Sequence, residues 1–209
     1  MSLLDTYRKQ WPRVGGVLAM AVGGAVALAA GRSSKTRTLA AANLGALLVH
    51  QYEEYEDPGY FPGQFNRGLL KSDEPDRYPL NTQSTLCVNT VFAYPFYVLP
   101  VIFPKQKWLG VAPAVFGITQ AVGHGVIIPR SAGDRYSPGF LASIFLHVPI
   151  GVRYLQSIGP ISRSDWAKGL AYMVGFALVG VVGPNVVYRD HDSPYRFRPD
   201  QVGRYAADD

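Results

Sequence analysis

Long apolar segments, each nearly free of charged residues, alternate with short charged connectors along this chain of 209 residues. A transmembrane helix needs about twenty mostly apolar residues, and about seventeen is the lower limit. Six segments match or approach this length, at residues 14–30, 38–49, 86–103, 108–128, 139–154 and 166–187. The pattern predicts an all-α fold, a polytopic membrane helix bundle with about six transmembrane helices in residues 1–188.

The composition agrees with a membrane protein, although the mean hydropathy is only +0.04. Charged residues make up 17% of the chain, whereas about a quarter is usual in soluble domains. The net charge of +5 comes from basic residues scattered over connectors, so we expect no nucleic acid as a partner. Cys87 is the only cysteine, which excludes an intramolecular disulfide and a cysteine-based zinc site.

The distribution of Lys and Arg predicts the orientation in the membrane. With six spans, twelve of these residues fall on the side of both termini and eight on the other side. Because basic residues are enriched in cytoplasmic loops, we expect both termini in the cytoplasm, and we place the protein in a bacterial plasma membrane. Residues 189–209 then form a polar cytoplasmic tail. Trp11, Trp108 and Trp166 stand at the starts of spans, where tryptophan typically anchors a helix at the interface.

One connector is longer than a link between two helices usually requires. Residues 55–85 contain aromatic residues interleaved with Pro and Gly, as in Tyr60-Phe61-Pro62-Gly63. This composition favours a segment that lies on the membrane interface or closes over a site as a lid. A solvated cytoplasmic loop is the alternative interpretation.

Prolines interrupt three of the apolar segments, as Pro95, Pro100, Pro104, Pro113 and Pro149. Each proline lacks a backbone donor and is expected to kink or end its helix. Inside a bilayer, the freed carbonyl has to be satisfied by a neighbouring helix or a wet cavity. The second and fifth segments are also short, so we expect polar residues within their membrane portions.

The sequence His50-Gln51-Tyr52-Glu53-Glu54 stands at the end of the second segment. Because residues three and four apart are neighbours on a helix, Glu53 and Glu54 flank His50 on the next turn. An imidazole and a carboxylate at this spacing form half of a site for a divalent metal, and di-iron bundles use the reverse order, Glu-x-x-His. We therefore predict His50, Glu53 and Glu54 as metal ligands and the two glutamates as catalytic residues.

His124 and His147 each lie within an apolar segment. Ionisable residues inside a membrane are costly and mark functional sites by default, although a lone histidine can also be a neutral structural residue. The alternation of spans brings the ends of the second and fourth segments and the start of the fifth to one side of the membrane. Asn89 and Asn185 fall in the same half. We therefore predict one shared polar site and add His124 and His147 to its metal ligands.

These residues resemble the signature of the HXXEE-domain family of integral membrane proteins, which His50, Glu53 and Glu54 match. The likeness continues through His124, the Tyr136-Ser137-Pro138-Gly139 turn and His147. It covers most of the chain from the second span onward. The resemblance implies a membrane protein with a His/Glu constellation, and it names no reaction because the activity of the family is undefined.

Three interpretations of the predicted site stay open. Imidazoles and carboxylates together suit iron or zinc better than magnesium or calcium, which favours a membrane metalloenzyme with a lipid-like or hydrophobic small-molecule substrate. Its reaction would be an oxidation at a di-iron centre or a hydrolysis. Intramembrane His and Glu also occur in proton- or ion-coupled transporters, although the polar residues here occupy one half of the membrane only. The third interpretation is a non-catalytic membrane assembly protein, and the oligomeric state is open in all three.

Overall fold

The structure, a computed structural model, describes residues 2–206. Within that range the protein is built from helices and contains no β-strand, which confirms the predicted all-α fold. The helices follow one another as α1 (Leu3–Ala29), α2 (Lys35–Tyr55), α3 (61–69), α4 (Thr82–Ile102), α5 (Lys107–Ala132), α6 (140–157), α7 (Arg163–Val187) and α8 (Pro199–Val202).

Four of these helices, α1, α4, α5 and α7, are long and apolar enough to cross a membrane. Helix α2 lies at the centre of the bundle, where it contacts α1, α4, α5 and α6. With 21 residues it is about 32 Å long at 1.5 Å per residue, but its polar residues lower its hydropathy. The four apolar helices agree with a membrane protein, whereas the count of six spans stays a prediction because α2 and α6 do not meet the same criterion.

Side-chain caps explain where several helices begin. Ser2 and Asp5 form a reciprocal capping box, so α1 starts at Leu3 and extends beyond the predicted apolar segment 14–30 at its N-terminal end. Ser34 accepts a hydrogen bond from the backbone N–H of Arg37 and caps α2. The side chain of Asn81 accepts from two backbone N–H groups in the first turn of α4. Each cap satisfies donors that the helix itself leaves unpaired.

Four of the long helices contain a π-helical segment shortly before a proline. The π turn widens the helix by one residue, which accommodates a proline that has no N–H and whose ring clashes with the preceding turn. The kinks that Pro95 and Pro149 predict therefore take the form of π segments, whereas Pro100 and Pro113 lie within regular α-helix. The four segments and their prolines are Cys87–Phe92 with Pro95, Gly123–Ile127 with Pro129, Ser143–His147 with Pro149, and Phe176–Val182 with Pro184.

Residues 56–81 and 188–206, which we call the end cover, pack over one end of the bundle. An apolar cluster joins the cover to the ends of the long helices, and it comprises Trp11, Tyr55, Phe61, Leu80, Leu86, Ile128, Phe197, Val202 and Tyr205. Trp11 is 2% exposed, and its ring lies 4.9 Å from that of Tyr55. The prediction of Trp11 as an interfacial anchor is therefore wrong, because the cover buries this end of α1. The assignment of residues 55–85 as a lid stays a prediction.

Candidate metal centre

Two histidines and one glutamate converge at the end of the bundle beneath the end cover. The Nε2 atoms of His50 and His124 each lie 3.4 Å from the same carboxylate oxygen, Oε1 of Glu54. The ligand atoms of all three residues lie within 4.8 Å of one another, and the side chains are buried. Ligands bound at about 2.05 Å in a tetrahedral zinc site are roughly 3.3 Å apart. The separations between Glu54 and each histidine match such a site, so the three residues could hold a metal ion.

Local helix geometry brings His50 and Glu54 together, because they are four residues apart on the last turns of α2. His124 comes from the other side of the site, in the π-helical segment Gly123–Ile127 of α5. His147 also lies in such a segment, Ser143–His147 of α6. π-Helical segments frequently occur at functional sites, since the extra residue changes the direction of the side chains that follow.

Serine hydroxyls hold the outer nitrogen atoms of both converging histidines. Nδ1 of His50 lies 3.3 Å from Oγ of Ser143, whose hydroxyl donates to the carbonyl oxygen of Gly139 at 2.6 Å. Nδ1 of His124 lies 3.2 Å from Oγ of Ser137. Because the Ser143 hydrogen is used on a carbonyl, its oxygen accepts from Nδ1–H of His50. Nε2 then carries a lone pair towards Glu54, as a metal-binding imidazole requires.

Gly139 lies beside the two histidine rings, in the turn between α5 and α6. It adopts φ +98°, a left-handed conformation that favours glycine. A Cβ atom at this position would come within 2.8 Å of Cε1 of His50 and 2.9 Å of Nδ1 of His124. Both the backbone conformation and the close approach of the two rings therefore require glycine here.

His147 lies next to the three-residue group without belonging to it. Its ring centre is 5.4 Å from that of His50, and its Nδ1 lies 3.2 Å from Oδ1 of Asn43. An amide oxygen only accepts, so Nδ1 of His147 carries the hydrogen and Nε2 the lone pair. Among the described residues this buried Nε2 has no hydrogen-bond partner. The prediction of His147 as a metal ligand remains a prediction.

Glu53 caps the start of α6 and is not one of the three converging residues. Its carboxylate accepts hydrogen bonds from the backbone N–H groups of Leu141 at 3.0 Å and Ala142 at 2.7 Å, and from the hydroxyl of Tyr136. Burial, together with the hydrogen bond to Glu53, raises the pKa of Tyr136 well above its ordinary value, so the hydroxyl stays a donor. The structure thus engages Glu53 elsewhere, and its predicted roles as ligand and catalytic residue stay predictions.

Other predicted polar residues take supporting positions. Asn89 accepts a hydrogen bond at 3.0 Å from the side chain of Gln51, one residue beyond His50. Asn185 donates to the carbonyl oxygen of Val181 within its own helix. His191 is exposed in the tail and pairs with a loop glutamate, so it is separate from the site. The sequence interpretation missed the roles of the two serines, although both lie in or near the Tyr136-Ser137-Pro138-Gly139 turn that carries the family resemblance.

Comparison with known proteins gives one result on the site. No curated protein and no solved structure matches the chain. The profile of a family described as "Protein of unknown function with HXXEE motif" matches residues 41–154, which include every histidine and glutamate of the site. Because the profile covers more than half of the chain, and its motif is His50, Glu53 and Glu54 at the end of α2, the protein belongs to the HXXEE family.

Proposed function

We propose that the protein is a membrane metalloenzyme in which His50, Glu54 and His124 bind one divalent metal ion, iron or zinc. The observation that carries this proposal is the 3.4 Å separation between one carboxylate oxygen of Glu54 and the Nε2 atoms of both histidines. The two serines and Gly139 support it, because they orient the rings as the outer partners of metal-binding histidines do.

The donor set limits the chemistry. Two imidazoles and one carboxylate form catalytic zinc sites of hydrolases and the iron sites of non-haem oxygenases, and both leave positions open for water or substrate. A metal held in this way would polarise a substrate oxygen or lower the pKa of bound water. A di-iron centre would need a second bridging carboxylate. Since Glu53 caps α6 instead, the geometry favours a single metal ion.

A mostly apolar cavity between α2 and the start of α6, which includes Glu53, the neighbour of Glu54, supports a hydrophobic substrate. It has a volume of 330 Å³, and two acidic residues, Glu53 and Asp57, line it together with Val49, Tyr52, Leu141, Ala142, Phe145 and Leu146. The same Val49 and Tyr52 also line a larger groove of 630 Å³ between α1 and α2. Such an opening on the outer surface of the bundle suits an acyl chain that enters sideways from the bilayer. Of the two glutamates predicted to be catalytic, Glu53 would face this substrate and Glu54 the metal.

Metal analysis of the detergent-purified full-length protein tests the proposal. We expect stoichiometric iron or zinc in the wild type and its loss in His50→Ala, Glu54→Gln and His124→Ala. The matched control is His191→Ala, which removes an exposed histidine and should leave the metal in place. A metal-free wild type, purified without chelator and unable to take up either metal, would refute the proposal.

One observation favours the alternative of a proton-coupled carrier. Tyr97 is 1% exposed, its ring lies 5.9 Å from that of His147, and its hydroxyl has no hydrogen-bond partner among the described residues. Together with the histidines, the Tyr97 hydroxyl forms a row of buried polar groups that continues along α4. A proton flux into proteoliposomes that Tyr97→Phe abolishes would favour this carrier. A protein with neither metal nor flux would instead be a structural or assembly protein.

A further inference from the structure

A second cavity lies at the same end of the bundle, between the start of α1, the start of α4 and the tail. Its volume of 320 Å³ is about ten times the share of one water molecule in the liquid. Buried aromatic side chains, Trp11, Tyr55 and Phe197, form part of its lining. The cavity therefore has room for a polar group larger than a few water molecules.

Four basic residues also line this cavity. Arg8 and Lys9 come from the first turns of α1, and Arg196 and Arg198 come from the tail, almost 190 residues later in the chain. Within the part of the chain that the structure describes, no acidic residue lines the cavity. These four residues were among the twelve that predicted the cytoplasmic orientation of the termini. They meet at this cavity because the tail folds back onto α1.

Contacts outside the cavity hold the arginines in position. Arg8 donates to Gln83 at 2.6 Å and to Asp5 at 2.6 Å, and its guanidinium lies 4.4 Å from the ring centre of Tyr195. Arg198 donates to Glu56 and to Asp200, at 3.0 Å each, and Arg196 donates to Asp76 at 2.8 Å. These carboxylates neutralise much of the charge of the three arginines, but they also fix the guanidinium groups before any ligand arrives. Fixed donors lose less conformational entropy on binding than free side chains.

We propose that this cavity binds a phosphate group, carried either by an anionic lipid or by a soluble phosphate compound. Guanidinium and ammonium groups are the usual protein donors to phosphate oxygens. Aromatic residues beside them suit the junction between a polar headgroup and an apolar chain. The site is separate from the metal centre, and the inference does not depend on the proposed function.

The proposal is tested by titrating ligands into the delipidated full-length protein and measuring its unfolding temperature at each concentration. The two ligands are inorganic phosphate, added to the detergent solution, and phosphatidylglycerol, added to phosphatidylcholine nanodiscs. We expect at least one of them to stabilise the wild type saturably, and Lys9→Gln combined with Arg196→Gln to weaken that binding about tenfold or more. A response to inorganic phosphate assigns a soluble compound, and a response to phosphatidylglycerol alone assigns a lipid.

The control variant combines Arg130→Gln with Arg189→Gln and so loses the same charge outside the cavity. Both arginines are exposed at the same end of the bundle. It should bind like the wild type. An equal loss in both double variants would show unspecific attraction and overturn the proposal, as would a wild type that responds to neither ligand. Lys9→Gln alone replaces the cavity variant if the latter loses its helical circular dichroism.

Discussion

Gly139 lies so close to His50 that a single added carbon atom would come within 2.8 Å of the imidazole Cε1. We expect Gly139→Ala to displace the histidine rings and to abolish metal binding, measured by metal content after purification. The left-handed backbone adds about 1–2 kcal/mol of destabilisation for any L-residue.

Gly133→Ala provides a matched control for this prediction. Gly133 is also left-handed, with φ +72°, but nothing lies within 4 Å of an added Cβ. This variant should be destabilised by a similar amount, because its backbone is also left-handed at this position, and should keep its metal. If both variants bind metal equally well, the contact between Gly139 and the rings does not shape the site.

Ser143 orients His50 and should affect metal affinity without binding the metal itself. Removing such an outer partner typically weakens metal binding by about ten- to hundredfold. We expect this loss in Ser143→Ala, measured by competition with a chelating dye. Ser157→Ala, which removes a hydroxyl bonded within α6, serves as the control. Equal affinities in the two variants would contradict the assigned role.

Glu53 and Glu54 should respond differently to the same substitution. Glu54→Gln removes a metal ligand, so we expect loss of the metal. Glu53→Gln weakens charge-assisted hydrogen bonds to the first turn of α6, so we expect a loss of about 1.5–3 kcal/mol in stability with the metal retained. Chemical denaturation and metal analysis of both variants test this. Metal loss in Glu53→Gln alone would reverse the two assignments.

Glu74 links the two segments of the end cover, residues 56–81 and 188–206, in a manner that depends on pH. The hydrogen bond from His191 at 2.6 Å, with a second one from Arg77, lowers the pKa of Glu74 below its ordinary value. Because the folded protein favours the carboxylate, this contact stabilises the cover above about pH 4.3 and is lost as the pH falls through the lowered pKa.

Hydrogen exchange of residues 190–198 measures this effect. Protection should decrease below about pH 4 in the wild type. In Glu74→Gln the exchange of these residues should already be faster at neutral pH. Acidification should then cause no further loss of protection, because the titrating carboxylate is absent. Identical pH profiles for the two proteins would contradict the prediction.

Labelling of single cysteines from one side of the membrane tests the count of six spans. In a Cys87→Ala background, cysteines replace the exposed residues Asp73, Gln106, Ser164 and Asp192. If α2 and α6 both cross the membrane, Asp73→Cys and Asp192→Cys react from the same side, and Gln106→Cys and Ser164→Cys from the other. With only four spans, the first two positions would lie on opposite sides.

Much of the fold could be predicted from local sequence. All six predicted apolar segments correspond to long helices, because hydropathy over about twenty residues is a property of consecutive residues. The pairing of His50 with Glu54 is equally local, since residues four apart share a helix face. The hydropathy pattern did not predict that α1 begins at Leu3. A side-chain cap and the burial of Trp11 beneath the end cover decide where this helix begins.

The composition of the site depends on the tertiary structure. Adjacent residues on a helix point about 100° apart, so the motif alone allows either glutamate to face the histidines. Packing of α2 against α5 and α6 turns Glu54 towards His124 and Glu53 towards the start of α6. The π turn that positions His124 and the serine contacts at Nδ1 likewise join segments far apart in the chain. Sequence by itself determined the helices and the candidate ligands, whereas the three-dimensional packing decided which of them meet.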